Sequence, residues 1–424
     1  MHDRNETTMR RIANAALAAA FAVGIGLPCV GTLFHLDTGG LPGENRAMAP
    51  APSLAKGKLK EYPQKAEAWF NDHFGLRNSL VLEHSLVALK VFGVSSSNDV
   101  AIGRDGWLFY AADRILESRR GVLPFTEEEL RGWQSRLEER RDWLASQGIR
   151  YVFMIAPEKS SLYAEYLPDA LAPAFADLSA EASSFADLSA EALAKEEASA
   201  GQDARGKSAT RLDQLLAWMR ARSTVEMLDL RESLRAAKAD VRIWHRTDTH
   251  WNDEGAFAAF QQIEAWLQSK FPAVRPLDRA EFDRKAVVGL GGDLAGMLAL
   301  MSRIPEERIV LTPRTPSPVR PAELTEAMNK RAWIPTRGPS VYECAEGEVP
   351  RGVILRDSFF QQVQPFLARH FQRSAFVWWA FPPDVIADEK PDVVIEEMVE
   401  RVLSRPDFLP VNESPIAGYR AGGH

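Results

Sequence analysis

The chain alternates between segments with helical periodicity and short apolar runs typical of buried strands. The helical segments lie at 64–91, 126–147, 210–222 and 253–270. The strand-like runs lie at 151–157, 224–230, 352–356, 375–380 and 392–397. Because strands that alternate with helices form parallel sheets covered on both faces, this order predicts an α/β domain with a parallel central sheet. A further strand-turn-strand is predicted at 100–110, where Asp105-Gly106 is a turn signal.

An uncharged, mostly apolar stretch runs from Ile12 to Leu36, which is long enough to cross a bilayer as a helix. Arg10 and Arg11 precede it and Asp37 follows it. The positive-inside bias therefore predicts a cytoplasmic tail at 1–11, a transmembrane anchor at 12–36 and an exported remainder at 37–424. A cleaved signal peptide is the alternative, with Ala47-Met48-Ala49 as the one small-x-small pattern near its end.

The exported part divides into a tether, a main domain and a tail. Residues 37–63 are rich in Gly and Pro and predict an extended tether, 64–410 form the main domain, and 411–424 form a C-terminal tail. Within the domain, a ten-residue unit that begins FADLSAEA occurs twice in tandem, at 175–184 and 185–194. Two copies are too few for a solenoid, so 171–207 is predicted to be a helical, Ala-rich surface insertion without chemistry.

Composition excludes several functional classes among the 424 residues. Lys and Arg number 51 against 58 Asp and Glu, a net charge of −7, which argues against nucleic-acid binding. Two cysteines, Cys29 and Cys344, cannot build a disulfide framework or a four-cysteine zinc site. Neither glycine-rich phosphate motif occurs, so no nucleotide cofactor, and no cofactor of another kind, is predicted.

The densest group of chemistry-bearing residues is WHRTDTHWND at 244–253, which holds four candidates: His245, Asp248, His250 and Asp253. A loop or strand end lets Asp248 and His250 converge, so that the carboxylate orients the imidazole. One alternative is a plain Asp–His pair before a helix that Asn252 or Asp253 caps. Another is a metal site, since His and carboxylate also ligate Zn²⁺ or Fe²⁺.

A candidate nucleophile is Ser358, between the apolar run at 352–356 and a predicted helix. A serine at such a junction presents its hydroxyl at the C-terminal edge of a parallel sheet, where open α/β sheets place their ligands. Helix N-terminal amides there also stabilise negative charge. The alternative is that Ser358 is only a helix cap.

Taken together, the chain resembles the AlgX/AlgJ group of alginate O-acetyltransferases, whose catalytic domain is SGNH-hydrolase-like. The resemblance spans roughly residues 40–405. It rests on GENR (43–46), FNDHFGLR (70–77), GRDGWLFY (103–110), PEKSSLY (157–163), TDTHWN (247–252), GGDLAGML (291–298), RDSF (356–359) and PDVVIEEMVER (391–401). It implies a three-layer α/β/α fold behind the membrane anchor.

The resemblance also implies roles for particular residues. Ser358 is expected to be the nucleophile, His250 the general base and Asp248 its orienting carboxylate, in a chain order permuted relative to lipase-like relatives. Arg356 stands where the lipase-type block has Gly. The Ser358 N–H is expected in an oxyanion hole, with a second donor at Gly291, Gly292 or Asn252. Three further residues are candidates for holding an anionic polysaccharide: Trp251, Tyr163 and Lys159.

This chemistry would transfer an acetyl group through an acyl-enzyme to a polysaccharide hydroxyl. Because the acetyl donor is cytoplasmic, the resemblance implies a membrane-bound O-acyltransferase as partner, with this chain in the inner membrane and its domain in the periplasm. Two other functions stay open. A carbohydrate acetyl esterase would use the same triad, and a non-catalytic subunit of a secretion complex would keep only the fold.

Overall fold

The computed structural model describes residues 2–34, 36–37, 40–41, 47–53, 60–168, 171, 209–334, 337–378, 381–405, 416–417 and 419. The chain divides into two compact units, one of residues 1–100 with 290–305 and the other of residues 101–289 with 306–424. The predicted insertion, apart from Leu171, about half of the predicted tether and most of the C-terminal tail lie outside the described residues, as does the GENR motif.

The described helices are α1 (His2–Leu33), α2 (Tyr62–His73), α3 (Arg77–Lys90), α4 (Ile115–Arg119), α5 (Glu127–Ala145), α6 (Lys159–Leu162), α7 (Arg211–Arg222), α8 (Arg231–Asp240), α9 (Asp253–Lys270), α10 (Asp293–Met297), α11 (Glu326–Lys330), α12 (Phe360–Leu367) and α13 (Pro383–Glu389). The described strands are β1 (Val100–Ile102), β2 (Leu108–Tyr110), β3 (Arg150–Ala156), β4 (Met227–Asp229), β5 (Phe282–Gly289), β6 (Glu306–Pro313), β7 (Arg320–Pro321), β8 (Ser340–Glu343), β9 (Val349–Arg356), β10 (Phe371–Trp378) and β11 (Val393–Val399).

The first unit contains the apolar helix α1, whose stretch Met9–Leu33 is long and apolar enough to cross a membrane. Its large apolar side chains, such as Leu17 and Phe21, are exposed. The helical periodicity at 64–91 belongs to two helices, α2 and α3, and the chain breaks between them. There Leu76 adopts a left-handed backbone with φ 65°, and a Cβ on Gly75 would lie 2.0 Å from the carbonyl carbon of Gly31.

The second unit is built on a seven-stranded sheet in the order β4-β3-β11-β9-β10-β8-β7. The first five strands run parallel, and they are the five that the sequence predicts. Strand β11 is buried along its whole length and β3 along all but its first residue, so helices cover both faces of the sheet. The α/β/α class is therefore confirmed.

The sequence predicts a parallel central sheet, but the strands at one edge of the sheet are antiparallel. Strands β8 and β7 add to β10 antiparallel, and the antiparallel hairpin β5–β6 forms a separate two-stranded sheet. Residues Asp283–Gly289 of β5 are exposed, so the hairpin lacks the continuous apolar run that marks a buried strand.

Helix boundaries follow local sequence signals. Thr126 and Glu129 form a capping box at the start of α5, and Gly148 follows the helix with φ 75°, a conformation that favours glycine. Helix α9 begins at Asp253, with Asn252 as its cap. Four apolar residues on one face of the helix are buried: Phe257, Phe260, Ile263 and Leu267.

Candidate functional site

The candidate site lies where β9 and β11 end and where the loop before α9 returns to the sheet. That loop is held at its base by a single β-bridge between Trp244 and Trp251 and by the His245 N–H, which donates to the His250 carbonyl at 3.3 Å. Inside the loop, the Trp244 indole N–H donates to the Thr249 carbonyl at 2.8 Å. These bonds fix the backbone on both sides of Asp248.

The loop is also bonded to its surroundings. Thr247 donates both its backbone N–H (2.6 Å) and its hydroxyl (2.7 Å) to the buried carboxylate of Glu306, at the start of β6. Gly255, in the first turn of α9, allows the helix to approach the loop, because a Cβ there would lie 2.3 Å from the Ile243 carbonyl oxygen. The loop therefore holds Asp248 and His250 on a fixed backbone.

Ser358 lies in the turn between β9 and α12 and is half-buried. The turn is held by Asp357, whose carboxylate accepts the Phe359 N–H and the Val399 N–H, each at 2.8 Å. The bond from the Phe359 N–H closes the turn around Ser358, and the bond from the Val399 N–H joins the end of β9 to the end of β11. The Ser358 N–H itself has no acceptor among the described residues.

Asp248, His250 and Ser358 form a continuous hydrogen-bonded chain. The distance from His250 Nε2 to Ser358 Oγ is 2.8 Å, and the distance from His250 Nδ1 to Asp248 Oδ1 is 2.6 Å. The same Asp248 oxygen accepts the His250 backbone N–H at 3.0 Å. The structure thus brings together the three residues that the sequence proposes as a triad, although 108 positions separate His250 from Ser358.

Asp248 is mostly buried, and burial alone would raise its pKa. The hydrogen bonds and positive charge of His250 outweigh that effect and hold the pKa of Asp248 well below its usual range. An ionised Asp248 accepts from His250 Nδ1–H, which leaves Nε2 to accept the Ser358 hydroxyl proton. The arrangement can therefore deprotonate Ser358.

A buried acidic pair behind Ser358 was not predicted from the sequence. The Asp357 N–H donates to Glu397 Oε2 at 3.0 Å, and both side chains are buried. Burial raises the pKa of Glu397 well above its usual value, and the adjacent Asp357 carboxylate raises it further. Burial also raises the pKa of Asp357, but its two backbone N–H bonds oppose that shift. Of the two buried carboxyls, Glu397 therefore has the stronger tendency to be protonated, and Asp357 accepts the backbone bonds.

Three further charged residues interact at the same sheet edge: Glu158, Glu400 and Arg401. Arg401 forms an ion pair with Glu158, which follows β3, and its guanidinium lies 4.1 Å from the Tyr110 ring centre and 5.7 Å from that of Phe359. The Glu158 N–H donates to Glu400 Oε2 at 2.8 Å. The only sequence signal for these residues is that they lie in four of the family-like motifs: RDSF, PDVVIEEMVER, PEKSSLY and GRDGWLFY.

The three proposed polysaccharide contacts lie in the interior, which corrects the sequence-based assignment. Trp251 is buried and its indole N–H donates to the Phe359 carbonyl at 2.9 Å. Lys159 is buried, and its Nζ donates to the carbonyls of Leu108 (2.6 Å) and Arg246 (3.0 Å). Tyr163 is buried, and its hydroxyl accepts the Ile243 N–H at 3.0 Å. These residues support the Asp248–His250 loop instead.

The proposed second oxyanion donors, Asn252, Gly291 and Gly292, differ in where the structure places them. Asn252 is fully buried, its Oδ1 caps α9 by accepting from Glu254 N and Gly255 N, and its Nδ2 donates to the Arg242 carbonyl at 2.7 Å. Its oxygen is engaged in capping and its Nδ2 in the bond to Arg242, so the fully buried Asn252 is not placed as an oxyanion donor. Gly291 and Gly292 belong to the first unit, and their role stays a prediction.

The other two residues of the 244–253 cluster, His245 and Asp253, lie beside strand β6. Burial lowers the pKa of His245 to about 4, and its Nδ1 lies 4.0 Å from Glu306 Oε1. Asp253 Oδ2 accepts the Leu311 N–H at 2.9 Å. Among the described residues, the group with metal-ligand spacing includes Asp248 and His250 but neither His245 nor Asp253, so the four residues do not converge as the alternative metal site requires.

Two stretches of the chain, residues 100–196 and 189–330, match the family described as SGNH hydrolase-like domain, acetyltransferase AlgX. Together they cover more than half of the chain. The chain belongs to this family. The match confirms the resemblance found in the sequence, and it includes Asp248 and His250, whereas Ser358 lies beyond its last residue.

Individual relatives of this AlgX-family chain are distant. A probable alginate O-acetylase AlgJ of Pseudomonas putida is 26% identical over 227 residues, 54% of this chain and 47% of the relative. A probable alginate O-acetylase AlgJ of Pseudomonas syringae pv. tomato is 24% identical over 213 residues, which are 50% of this chain and 44% of the relative. The chain thus spans about half the length of the curated relatives it matches. The O-acetyltransferase domain of Pseudomonas putida AlgJ superposes with a TM-score of 0.43 at 19% identity, covering 76% of this chain and 98% of that one.

Proposed function

We propose that this protein is an O-acetyltransferase that carries an acetyl group on Ser358 and passes it to hydroxyl groups of an exported, alginate-like polysaccharide. The observation that carries the proposal is the hydrogen-bonded chain from Asp248 through His250 to Ser358. Membership of a family described as an acetyltransferase, and the O-acetylase names of its distant relatives, support the choice of reaction.

Acylation begins when Ser358 Oγ attacks the carbonyl carbon of an acetyl ester. His250 Nε2 takes the hydroxyl proton as the new C–O bond forms, and the ionised Asp248 stabilises the resulting imidazolium. The Ser358 N–H, which has no acceptor among the described residues, is free to stabilise the oxyanion. When the old ester bond breaks, the leaving alkoxide receives the proton from His250, and acetyl-Ser358 remains.

The second half-reaction reverses these roles. A sugar hydroxyl gives its proton to His250 Nε2 and attacks the acetyl carbon, and Ser358 leaves with that proton. If water attacks instead, the product is acetate. The acceptor that reaches acetyl-Ser358 therefore decides between transferase and esterase activity.

The apolar helix α1 supports an extracytoplasmic location. Its stretch Met9–Leu33 is long enough to cross a membrane, with Arg10 and Arg11 near the N-terminal side of the span. We place the α/β unit in the periplasm, anchored to the inner membrane. A membrane-bound O-acyltransferase would then deliver acetyl groups across the bilayer to Ser358.

The test uses the full chain in detergent, incubated with an activated acetyl ester. Intact-protein mass spectrometry should find one acetyl group, and peptide mapping should place it on Ser358. Addition of alginate or cellulose oligosaccharides should then yield acetylated sugar. Release of acetate alone would favour the esterase, and no acetyl-protein at all would refute the proposed function. A matched control is Ser269→Ala at the far end of α9, where Ser269 Oγ donates only within its own helix.

A further inference from the structure

Helix α3 carries large apolar side chains in exposed positions. Leu80, Val87 and Val91 are 44%, 46% and 69% exposed, and Val91 directly follows the helix with a helical backbone. They are spaced by seven and four positions, so they lie on one face of α3. Single apolar side chains are common on protein surfaces, but a row of them on one helix face marks an interaction surface. We call these three residues the apolar face of α3.

The polar residues of α3 are placed as at a boundary between lipid and water. Glu83 and Lys90 are exposed and lie along one flank of the apolar face. There the alkyl stem of a lysine can cover apolar surface while its ammonium group stays in water. His84, on the apolar face itself, likewise combines an apolar ring with a polar tip. A different side of the helix is packed inside the unit and contains Ser85 and Ala88.

The start of α3 is bonded to the outer end of the apolar helix α1. The Ser79 N–H donates to Asp37 Oδ2 at 2.7 Å, and the Gly75 N–H donates to Thr32 Oγ1 at 2.8 Å. Asp37 is the first charged residue after the uncharged stretch of α1. Because Leu80 directly follows Ser79, it lies at the level where α1 would leave a membrane.

The contact also reaches the apolar span itself. A Cβ on Gly75 would lie 2.0 Å from the carbonyl carbon of Gly31, which belongs to the stretch Met9–Leu33. Every backbone N–H of residues 74–77, the turn between α2 and α3, has an acceptor within the chain. A backbone next to lipid needs such internal bonds, because hydrocarbon offers none. The turn therefore meets the requirement for contact with a bilayer.

Exposed aromatic rings lie near the same junction. Phe70 of α2 is exposed, and its ring stacks on Phe74 with centroids 5.8 Å apart. Phe34 directly follows the stretch Met9–Leu33 and is also exposed. Large apolar rings of this kind are typical of helices that lie in the plane of a membrane surface.

We propose that α3 lies on the outer surface of the membrane that α1 crosses, with Leu80, Val87 and Val91 inserted between the lipid headgroups. The bilayer is the occupant that fits, because the junction with α1 brings the start of α3 to the edge of the span with its backbone already hydrogen-bonded. A second membrane contact beside α1 fixes the orientation of the first unit on the bilayer. This assignment rests on the membrane anchor of the proposed function and goes beyond acetyl transfer.

The test uses the full chain in liposomes of phosphatidylethanolamine and phosphatidylglycerol. The background is Cys29→Ala, in which the remaining Cys344 is buried, so that one introduced cysteine carries an environment-sensitive fluorophore. Val87→Cys and Val91→Cys report on the apolar face. Lipids with nitroxides at several depths quench a label in the bilayer, and aqueous iodide quenches a label in water.

Two further labels calibrate the measurement. Phe21→Cys, inside the stretch Met9–Leu33, reports on the anchor. The matched control is Ala145→Cys, an exposed position at the end of the charged helix α5. Iodide should quench the Ala145 label and nitroxide lipids should not, whereas the Phe21 label should lie deepest in the bilayer.

Nitroxide lipids should quench both α3 labels and place them about 5–10 Å into the boundary between headgroups and acyl chains. If these labels behave like the Ala145 label while the Phe21 label is deep, the membrane surface is refuted and the anchor stands. Protection of the α3 labels from both quenchers would show a protein partner, such as a second copy of this chain, and would overturn the proposal. A Phe21 label in water would refute the anchor of the proposed function and this surface with it.

A second measurement leaves the apolar face itself unlabelled at Val87 and Val91. In the double variant Val87→Asp, Val91→Asp, which retains α1, a label at Leu80→Cys should move from lipid towards water. Acetylation of Ser358 by a small ester should be unchanged, because the substituted positions are exposed and lie outside the α/β unit. An unaltered depth of the Leu80 label would contradict the role of the apolar face.

Discussion

The indole N–H of Trp251 donates a 2.9 Å hydrogen bond to the backbone carbonyl of Phe359. Trp251 directly follows His250, and Phe359 directly follows Ser358. The two rings also meet edge to face with centroids 5.2 Å apart. One buried contact thus joins the loop that carries the imidazole to the turn that carries the hydroxyl, and it fixes the distance between them.

Replacement of Trp251 by Phe should lower kcat for Ser358 acetylation about 10- to 100-fold while KM changes little, because the imidazole loses its fixed position relative to Ser358. The buried Phe359 carbonyl would also lose its donor, at a cost of about 1–3 kcal/mol in unfolding free energy. Steady-state kinetics and urea unfolding measure the two effects.

The matched control is Trp266→Phe on α9. Trp266 is also buried and its indole N–H donates to Glu226 Oε2 at 2.6 Å, far along the helix from His250. We expect comparable destabilisation but near-normal kcat. Equal loss of kcat in both variants would show that Trp251 acts only through overall stability.

Ser358 and His250 should behave as one catalytic unit. Ser358→Ala and His250→Ala should each lower the rate of ester cleavage on the order of 10⁶-fold, and the double variant should lose little more, because the two residues serve the same proton transfer. Stopped-flow measurement of ester cleavage compares the three variants. Additive losses, or normal acetylation of Ser358→Ala, would contradict the assignment.

Asp248→Asn should slow acetylation by about 10⁴-fold at most, since the amide no longer favours the His250 tautomer that accepts from Ser358. It should also alter the pH dependence of stability. The pKa of Asp248 is lowered in the folded protein, so its contribution is complete above the unfolded-state pKa of about 4 and is lost as pH falls toward the folded-state pKa.

The difference in unfolding free energy between wild type and Asp248→Asn should accordingly be constant from about pH 8 to about pH 5 and shrink in more acidic solution. Urea unfolding across that range provides the measurement. A difference that grows on acidification would show that Asp248 is not held ionised by His250.

Glu397→Gln should remove a pH-dependent cost to stability. The pKa of Glu397 is raised in the folded protein, so folding binds a proton, and wild-type stability falls as pH rises above the unfolded-state pKa of about 4.3. Glutamine is uncharged and its carbonyl can still accept the Asp357 N–H. The variant should therefore gain stability relative to wild type between about pH 5 and about pH 8, measured by urea unfolding. A constant difference would mean that Glu397 is ionised.

The chain should place its α/β unit outside the cytoplasm. Alkaline phosphatase fused after residue 60 should be active, because the stretch Met9–Leu33 would carry it across the membrane. A fusion after residue 8 is the matched control and should be inactive. An active cytoplasmic reporter at residue 60 would contradict this topology.

The sequence by itself determined the parallel part of the fold and the identity of the candidate triad. Four of the five parallel strands are short apolar runs because both faces of the sheet are largely covered there, while β4 at the sheet edge is half-buried. The signal of such an apolar run is local. The Thr126 capping box and the Asn252 cap are likewise encoded within a few residues. The Asp-x-His pair and the serine after an apolar run could be recognised for the same reason.

Only the tertiary structure decided what those residues touch. The strands β7 and β8 and the hairpin β5–β6 lack long apolar runs, so their pairing depends on neighbours distant in the chain. Trp251, Tyr163 and Lys159 have side chains that suit sugar binding, yet all three are buried with their polar atoms bonded to the backbone. The pairing of Asp357 with Glu397 spans 40 positions. Burial and long-range hydrogen bonds arise only when separate segments pack together, and no local pattern specifies them.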